Sequence, residues 1–225
     1  MRRQSTTVCV LLSGGLDSAV LVQRLLTSGH QVLPLYVRSG FVWEAVELTW
    51  LRRFLRAIHS PKLLPLRRID VPLQSTYRAH WSLTGRHVPG SRSADAAVYL
   101  PGRNALLIAH AAIVCAQEGI REIALGLLKG NPFGDASPAF LRRFASCLTE
   151  ALRTPIRVVA PLRGLTKSQV IRVAANLPLA LTFSCLSPRR EQHCGRCNKC
   201  AERRRGFRKA DVTDLTPYVR GMQVR

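Results

Sequence analysis

The residues best suited to chemistry begin near the start of the chain. Ser13-Gly14-Gly15-Leu16-Asp17-Ser18 lies between a short apolar run, Thr7–Leu12, and a helix-periodic stretch near Ser18–Thr27. Two adjacent glycines let backbone N–H groups approach phosphate oxygens with no side chain in the way. A helix opening there adds unsatisfied N–H donors and the positive end of its dipole. Ser13 and Ser18 can donate hydroxyl hydrogen bonds. A carboxylate beside phosphate makes sense only with a bridging cation, so Asp17 implies Mg2+. The lysine of GxxxxGK[ST] is missing, which excludes a Walker-type loop.

A second group is made of sulfur. Cys185, Cys194, Cys197 and Cys200 give two CxxC steps that share Cys197, with a fourth thiol upstream. Four thiolates close a tetrahedron, which suits a structural Zn2+ with no open coordination position. Such an ion contributes about 10–16 kcal/mol of apparent binding energy, against a net domain stability of about 5–15 kcal/mol. An iron–sulfur cluster also accepts this spacing, so the spacing alone leaves two metals open. His193 reads as a bystander. Cys9, Cys115 and Cys147 stand singly in apolar segments and read as small core residues.

Three smaller signals complete the inventory. Arg103 and Asn104, after Pro101-Gly102, open a helix where they can meet an anion or a ribose edge. Thr166 is an N-cap by type, and Lys167 behind it can reach a phosphate. Asn131, Phe133 and Asp135 can form a nucleobase pocket, Asp135 accepting from ring N–H groups while Phe133 stacks, or only a turn.

Alternating strands and helices have to position these groups. Strands are expected at Thr7–Leu12, Gln31–Val37, Leu63–Val71, Glu122–Leu127 and Ile156–Val159. Helices are expected at Ser18–Thr27, Val42–Ile58, Asn104–Glu118, Pro138–Leu152 and Thr166–Asn176, with Gly29 and Gly119 just past two of them. Residues 72–100 show no period. This pattern predicts an α/β fold with a doubly wound parallel sheet, in which ligands bind beyond the carboxyl ends of the strands. The expected division is a nucleotide-binding domain over 1–181 and a four-cysteine metal module with its tail over 182–225, loosely ordered after Asp211.

Composition bounds the rest. The 225 residues, 47% hydrophobic, suffice for one core with a small appendage. No apolar run is long enough to span a membrane. The basic start leads into a glycine turn and not a cleavage site, so the chain reads as cytoplasmic. The formal charge is +21, but 29 of the 34 basic residues are arginine and they are spread along the chain. That skew fits codon usage as well as it fits a polyanion, so charge does not favour a nucleic-acid partner.

The SGGLDS loop resembles the pyrophosphate loop of the ATP pyrophosphatases, which cleave ATP between the α and β phosphates. With the Leu100-Pro101-Gly102-Arg103-Asn104 segment and the HCGRC spacing of the cysteines, the chain from Val8 to about Phe207 resembles the 7-cyano-7-deazaguanine synthases of queuosine biosynthesis. The resemblance implies an adenine nucleotide α-hydrolase-like sheet, ATP, Mg2+ and Zn2+, a deazapurine carboxylate and ammonia as substrates, and a homodimer. It implies that Ser13, Gly14, Gly15, Asp17 and Ser18 hold pyrophosphate and metal; with the residue types read above, the expected nucleotide contacts are Leu12, Ser13, Gly14, Gly15, Leu16, Asp17, Ser18, Asn104 and Lys167. Asp17, Ser18 and Arg103 would act in catalysis. Two segments depart from the family. Tyr36-Val37-Arg38-Ser39-Gly40 replaces an aspartate–tyrosine–glycine–glutamine run, and 129–135 replaces a glycine–tyrosine–proline–aspartate–cysteine run. An adenylating ligase for another carboxylate, or a tRNA-modifying thiolase, shares the same loop chemistry.

Overall fold

A computed structural model describes residues 6–219. Five strands, β1 (Thr7–Leu11), β2 (Gln31–Arg38), β3 (Arg67–Asp70), β4 (Glu122–Leu125) and β5 (Arg157–Val159), form one sheet in the order β3-β2-β1-β4-β5. Every pairing is parallel. The helices are α1 (Leu16–Thr27), α2 (Glu44–Ala57), α3 (Gln74–Tyr77), α4 (Trp81–Thr84), α5 (Arg103–Gln117), α6 (Pro138–Leu152), α7 (Lys167–Val173) and α8 (Asn198–Ala210). The arrangement is an α/β fold with a doubly wound parallel sheet.

Alternation along β1 divides the core. Val8 and Val10 face a cluster with Leu21 and Leu25 of α1, Leu51 and Phe54 of α2, Ile171 of α7 and Phe207 of α8. Cys9 and Leu11 face the other layer, with Ile108 and Cys115 of α5 and Leu141 of α6. Val8, Cys9 and Val10 are at most 1% exposed, and each such aliphatic side chain contributes about 1.5–3 kcal/mol on burial. A third cluster caps the carboxyl edge of the sheet. There Phe41, Trp43, Trp50 and Phe183 pack with the four clustered cysteines.

The chain runs outward from β1 to β3, then returns to lay β4 against the other side of β1. The crevice beyond the ends of β1 and β4 is thus the topological switch point, where open α/β sheets bind ligands. The SGGLDS loop leaves β1 at that crevice.

Three expectations about chain segments need revision. The third strand is shorter than Leu63–Val71. Val32 donates to the Lys62 carbonyl and accepts from the Leu64 amide, both at 2.9 Å. Two residues on, Pro34 faces the same edge with no N–H to give, and pairing resumes only at Leu35 opposite Arg67. Residues 72–100 hold α3, α4 and a 3-10 turn at Asp95–Val98, each too short to show a period. The segment after Asp211 is fixed as far as the described residues go: Thr216 accepts from Arg203 Nε at 2.7 Å, and the Tyr218 ring lies 5.6 Å from that of His193.

Cys9 and Cys115 are buried as expected, but Cys147 is exposed. It lies on the outer face of α6, beyond the stripe formed by Leu141 and Ala145. No helix among the described residues is long and apolar enough to cross a membrane.

Candidate active site

The loop after β1 is fixed by contacts within the chain. Gly14 has φ +76°, a left-handed conformation, and a Cβ there would lie 3.2 Å from Leu51 Cβ. Its carbonyl accepts from the Phe183 amide at 2.8 Å, which ties the loop to the segment leading into Cys185. Ser18 Oγ donates to the Gly15 carbonyl at 3.0 Å, and Ser13 Oγ accepts from the Gly15 amide at 3.3 Å. Gly15 is the N-cap of α1 and offers no side chain to its first-turn amides. The donors of that turn are therefore available to an anion.

Gly126, one residue past β4, makes this closeness possible. A Cβ there would stand 2.8 Å from the Ser18 amide nitrogen and 3.0 Å from the Asp17 carbonyl carbon. Glycine within the EIALGL run was the sequence signal for such an approach, although the strand reading did not use it. Gly126→Ala is expected to push the loop off the end of β4. The cost should be about 1–3 kcal/mol of stability, with roughly tenfold weaker nucleotide binding, read by thermal melting and calorimetric titration with ATP.

A cavity opens over the loop, lined by Ser13, Gly15, Leu16, Asp17, Arg103 and Lys167, with Glu47 and Trp43 from the α2 side. The structure brings together Ser13 to Ser18, Arg103 and Lys167; Leu12 is buried beneath them. Thr166 caps α7 in a capping box with Gln169, which sets Lys167 at the first helical position. Lys167 Nζ contacts both oxygens of Asp17, at 2.9 and 2.7 Å, and Glu202 at 3.1 Å. Burial alone would lower the Lys167 pKa, but Asp17 and Glu202 outweigh it and raise it. Burial likewise favours neutral Glu202, yet Lys167 and Lys199 hold its carboxyl down at about 2.

Arg103 starts α5, over the Phe41 ring at 5.3 Å. Its buried Nε has no hydrogen-bond partner among the described residues. Asn104 is anchored, its backbone N and Nδ2 meeting the two Asp135 oxygens at 2.9 and 3.1 Å. Asp135 therefore caps α5 from a distance. Phe133 stacks on Tyr99 at 5.0 Å, and Asn131 Oδ1 accepts from the Phe133 amide at 3.0 Å. Phe133, Asn131 and Asp135 line a second cavity with Trp43, Trp81 and Tyr99, and Arg103 and Lys199 border both cavities.

Glu44 and Glu47 escaped the sequence reading. Both lie on the buried stripe of α2 with Leu51 and Phe54, and are 4% and 7% exposed. An ionisable residue on an apolar stripe was the available signal. Glu44 accepts from the amides of Ser39, Gly40 and Phe41 at 2.8, 2.8 and 3.1 Å. Glu47 Oε2 accepts from Tyr36 Oη at 2.9 Å. Burial pushes the Glu47 carboxyl up to about 8, with Arg103 and Tyr36 pulling the other way.

A folded-state pKa above the unfolded value of about 4.3 gives stability that is full in acid and lost as pH rises towards 8. The wild-type protein is expected to lose on the order of 2–4 kcal/mol between pH 5 and 8.5 from this group. Glu47→Gln, which keeps a partner for Tyr36, should flatten that slope in melting curves across the range.

The four clustered cysteines place their sulfurs within 4.8 Å of one another, all buried. Cys194 Sγ is 4.0 Å from Cys200 Sγ, and Cys197 Sγ is 4.0 Å from Cys185 Sγ. Amides point at sulfur as they do around thiolates: Cys194 N to Cys185 at 3.2 Å and Leu186 N to Cys197 at 3.5 Å. His193, 0% exposed, is outside the set: its Nε2 accepts from the Ser184 amide at 3.1 Å. By geometry and donor type the group could hold a metal ion.

Comparison with known proteins agrees with this layout. A family model described as "Queuosine biosynthesis protein QueC" matches residues 7–211. A 7-cyano-7-deazaguanine synthase of Anaeromyxobacter sp. (strain Fw109-5) is 33% identical, covering 97% of this chain and 98% of its own. One of Methanothrix thermoacetophila is 32% identical, covering 94% and 97%. Among solved structures, a 4-thiouridine synthetase in complex with RNA and ATP superposes with TM-score 0.51 at 18% identity. That match covers 92% of this chain and 50% of the other, a likeness of fold. With the family model matched over residues 7–211 and these relatives covered over nearly their whole length, the chain belongs to the queuosine biosynthesis QueC family of enzymes.

Proposed function

We propose that this protein converts 7-carboxy-7-deazaguanine and ammonia into 7-cyano-7-deazaguanine, using ATP, by adenylating the acid and then the amide. The observation that supports the reading best is the pair of neighbouring cavities at the switch point, which share Trp43, Arg103 and Lys199 in their walls. One is lined by the pyrophosphate loop, and the other by Trp43, Trp81, Tyr99 and Phe133, as a planar ring would require. A carboxylate oxygen is a poor leaving group. Transfer of AMP to it lets it depart as phosphate ester while ammonia takes its place, and a second transfer to the amide oxygen opens the way to the nitrile.

In this reading the first-turn amides of α1, Ser13 and Ser18 hold the pyrophosphate portion. Asp17 would hold Mg2+, which would supply shielding of the phosphate charge. Lys167, released from Asp17, turns to the phosphates. Arg103, fixed on Phe41 with a free Nε, meets charge developing at the α-phosphate, so preorganised electrostatics supply most of the acceleration. Asn104 positions the start of α5. Asp135, whose oxygens already accept from Asn104, and Phe133 border the ring. Cys185, Cys194, Cys197 and Cys200 would hold Zn2+. A tetrahedral zinc–thiolate site needs sulfurs about 3.8 Å apart, close to the spacing here, whereas in a four-iron cube each thiolate meets a different iron and stands farther off. Held by these four thiolates, Zn2+ would tie the cysteine module that begins at 182 to the nucleotide domain before it, and a homodimer is the expected assembly.

A second reading, an adenylating ligase for a different carboxylate, is favoured by the loop after β2. Its Ser39, Gly40 and Phe41 amides are all taken by Glu44, in a segment where the family pattern is absent. Incubation with ATP, Mg2+, ammonia and 7-carboxy-7-deazaguanine, read by mass spectrometry, separates the two. AMP, pyrophosphate and the nitrile are expected. AMP without nitrile moves the assignment to the second reading, and ADP as product refutes both.

A further inference from the structure

One cation in the site comes from inside the cysteine knuckle. Lys199 lies between Cys197 and Cys200, in the first turn of α8, so two prospective metal ligands hold its backbone. It borders the loop cavity, the aromatic cavity and the groove along 126–133. Its Nζ contacts Glu202 Oε2 at 2.6 Å, and its side chain is 33% exposed. An ammonium has three donors, so Glu202 leaves two of them for the cavities. Glu202 also holds Lys167, which grips Asp17. Charges therefore alternate from the pyrophosphate loop outward as Asp17, Lys167, Glu202 and Lys199. Lys167 is committed to the nucleotide end of this series, and Lys199 stands at the other, against the aromatic cavity. Arg103, the other cation at the boundary, lies over Phe41.

We propose that Lys199 is a specificity-determining residue that recognises the carboxylate of the ring-bearing acid and turns it toward the α-phosphate. The inference rests on the proposed function and adds to it a residue and a sense of direction. A ring seated among Trp43, Trp81, Tyr99 and Phe133 can be bound through its face whatever substituent it carries. Only a charged substituent gains from an ammonium at the boundary of the two cavities. The acid is attracted there, while its neutral amide is not. Lys199 thus favours entry of the acid and acts little on the second half of the reaction.

Tryptophan fluorescence gives a readout independent of turnover, because Trp43 and Trp81 line the aromatic cavity. The zinc-loaded protein would be titrated with 7-carboxy-7-deazaguanine and, separately, with its amide. Wild type is expected to bind the acid about tenfold more tightly than the amide, the size of one charge-assisted contact. Lys199→Met should lose that preference by weakening the acid alone, and Lys199→Arg should restore it, both with wild-type zinc content. Equal weakening of acid and amide in Lys199→Met, or no change, overturns the inference while leaving the proposed function standing. Should Lys199→Met not fold, the wild type decides, since binding the amide as tightly as the acid overturns it. Wild type that binds neither ring sinks the proposed function and this inference together.

Discussion

Asp17→Ala is expected to release pyrophosphate from ATP at least a hundredfold more slowly than wild type, a barrier increase of about 3 kcal/mol. The size follows from what the carboxylate does in the proposed reaction: it is the negative group in the loop on which a phosphate-bound cation can rest. The fold should tolerate the change. Asp17 is about a quarter exposed and, at the other end of its contact, Lys167 keeps Glu202 at 3.1 Å. A partly exposed ion pair of this kind contributes about 1 kcal/mol or less. Melting temperature and rate of pyrophosphate release therefore respond differently, which separates a lost metal ligand from a damaged fold. Wild-type release by the alanine variant would remove the loop from the chemistry and the pyrophosphatase assignment with it.

The second large effect belongs to the cysteines. Cys197→Ser should lose stoichiometric zinc and lower the melting temperature by roughly 10 °C or more. The reasoning starts from position. Cys197 is the N-cap residue of α8, and the far end of that helix places Phe207 and Ala210 in the main core beside α1 and α7. Releasing the knuckle therefore frees the residues that close one layer of the sheet. A loss of about 3–5 kcal/mol, well inside the binding energy of a structural zinc, corresponds to such a shift at this chain length. A strong chelator should bring the wild-type protein to the same melting temperature. Metal analysis together with melting checks both, and a brown, iron-containing wild type would replace zinc by a cluster. A metal-free variant that melts with wild type would show that packing alone holds α8.

The two effects are linked through Lys199 and Glu202. α8 carries both into the cavity, Lys199 from inside the knuckle and Glu202 two residues past it, so zinc loss should also weaken nucleotide binding, where Asp17→Ala leaves the zinc in place.

Local spacing decided much of this molecule. Two adjacent glycines between an apolar run and an amphipathic one can only be a tight turn from strand to helix. Four cysteines so close in sequence can reach one ion whatever surrounds them. The alternation of strand and helix carried the parallel sheet, because crossover helices have few other ways to cover it. These are short-range constraints, written in neighbouring residues. Tertiary structure decided what depended on distant partners. Pro34 interrupts pairing with the third strand because its missing N–H happens to face that edge. Gly126 matters because α1 passes within contact distance of β4. Glu47 and Tyr36 become a buried acid pair, and Lys167 meets Asp17 across 150 residues of chain, only once the sheet has closed. Which cations face the nucleotide and which the ring is a property of three dimensions, since charge acts through space and the sequence records only order.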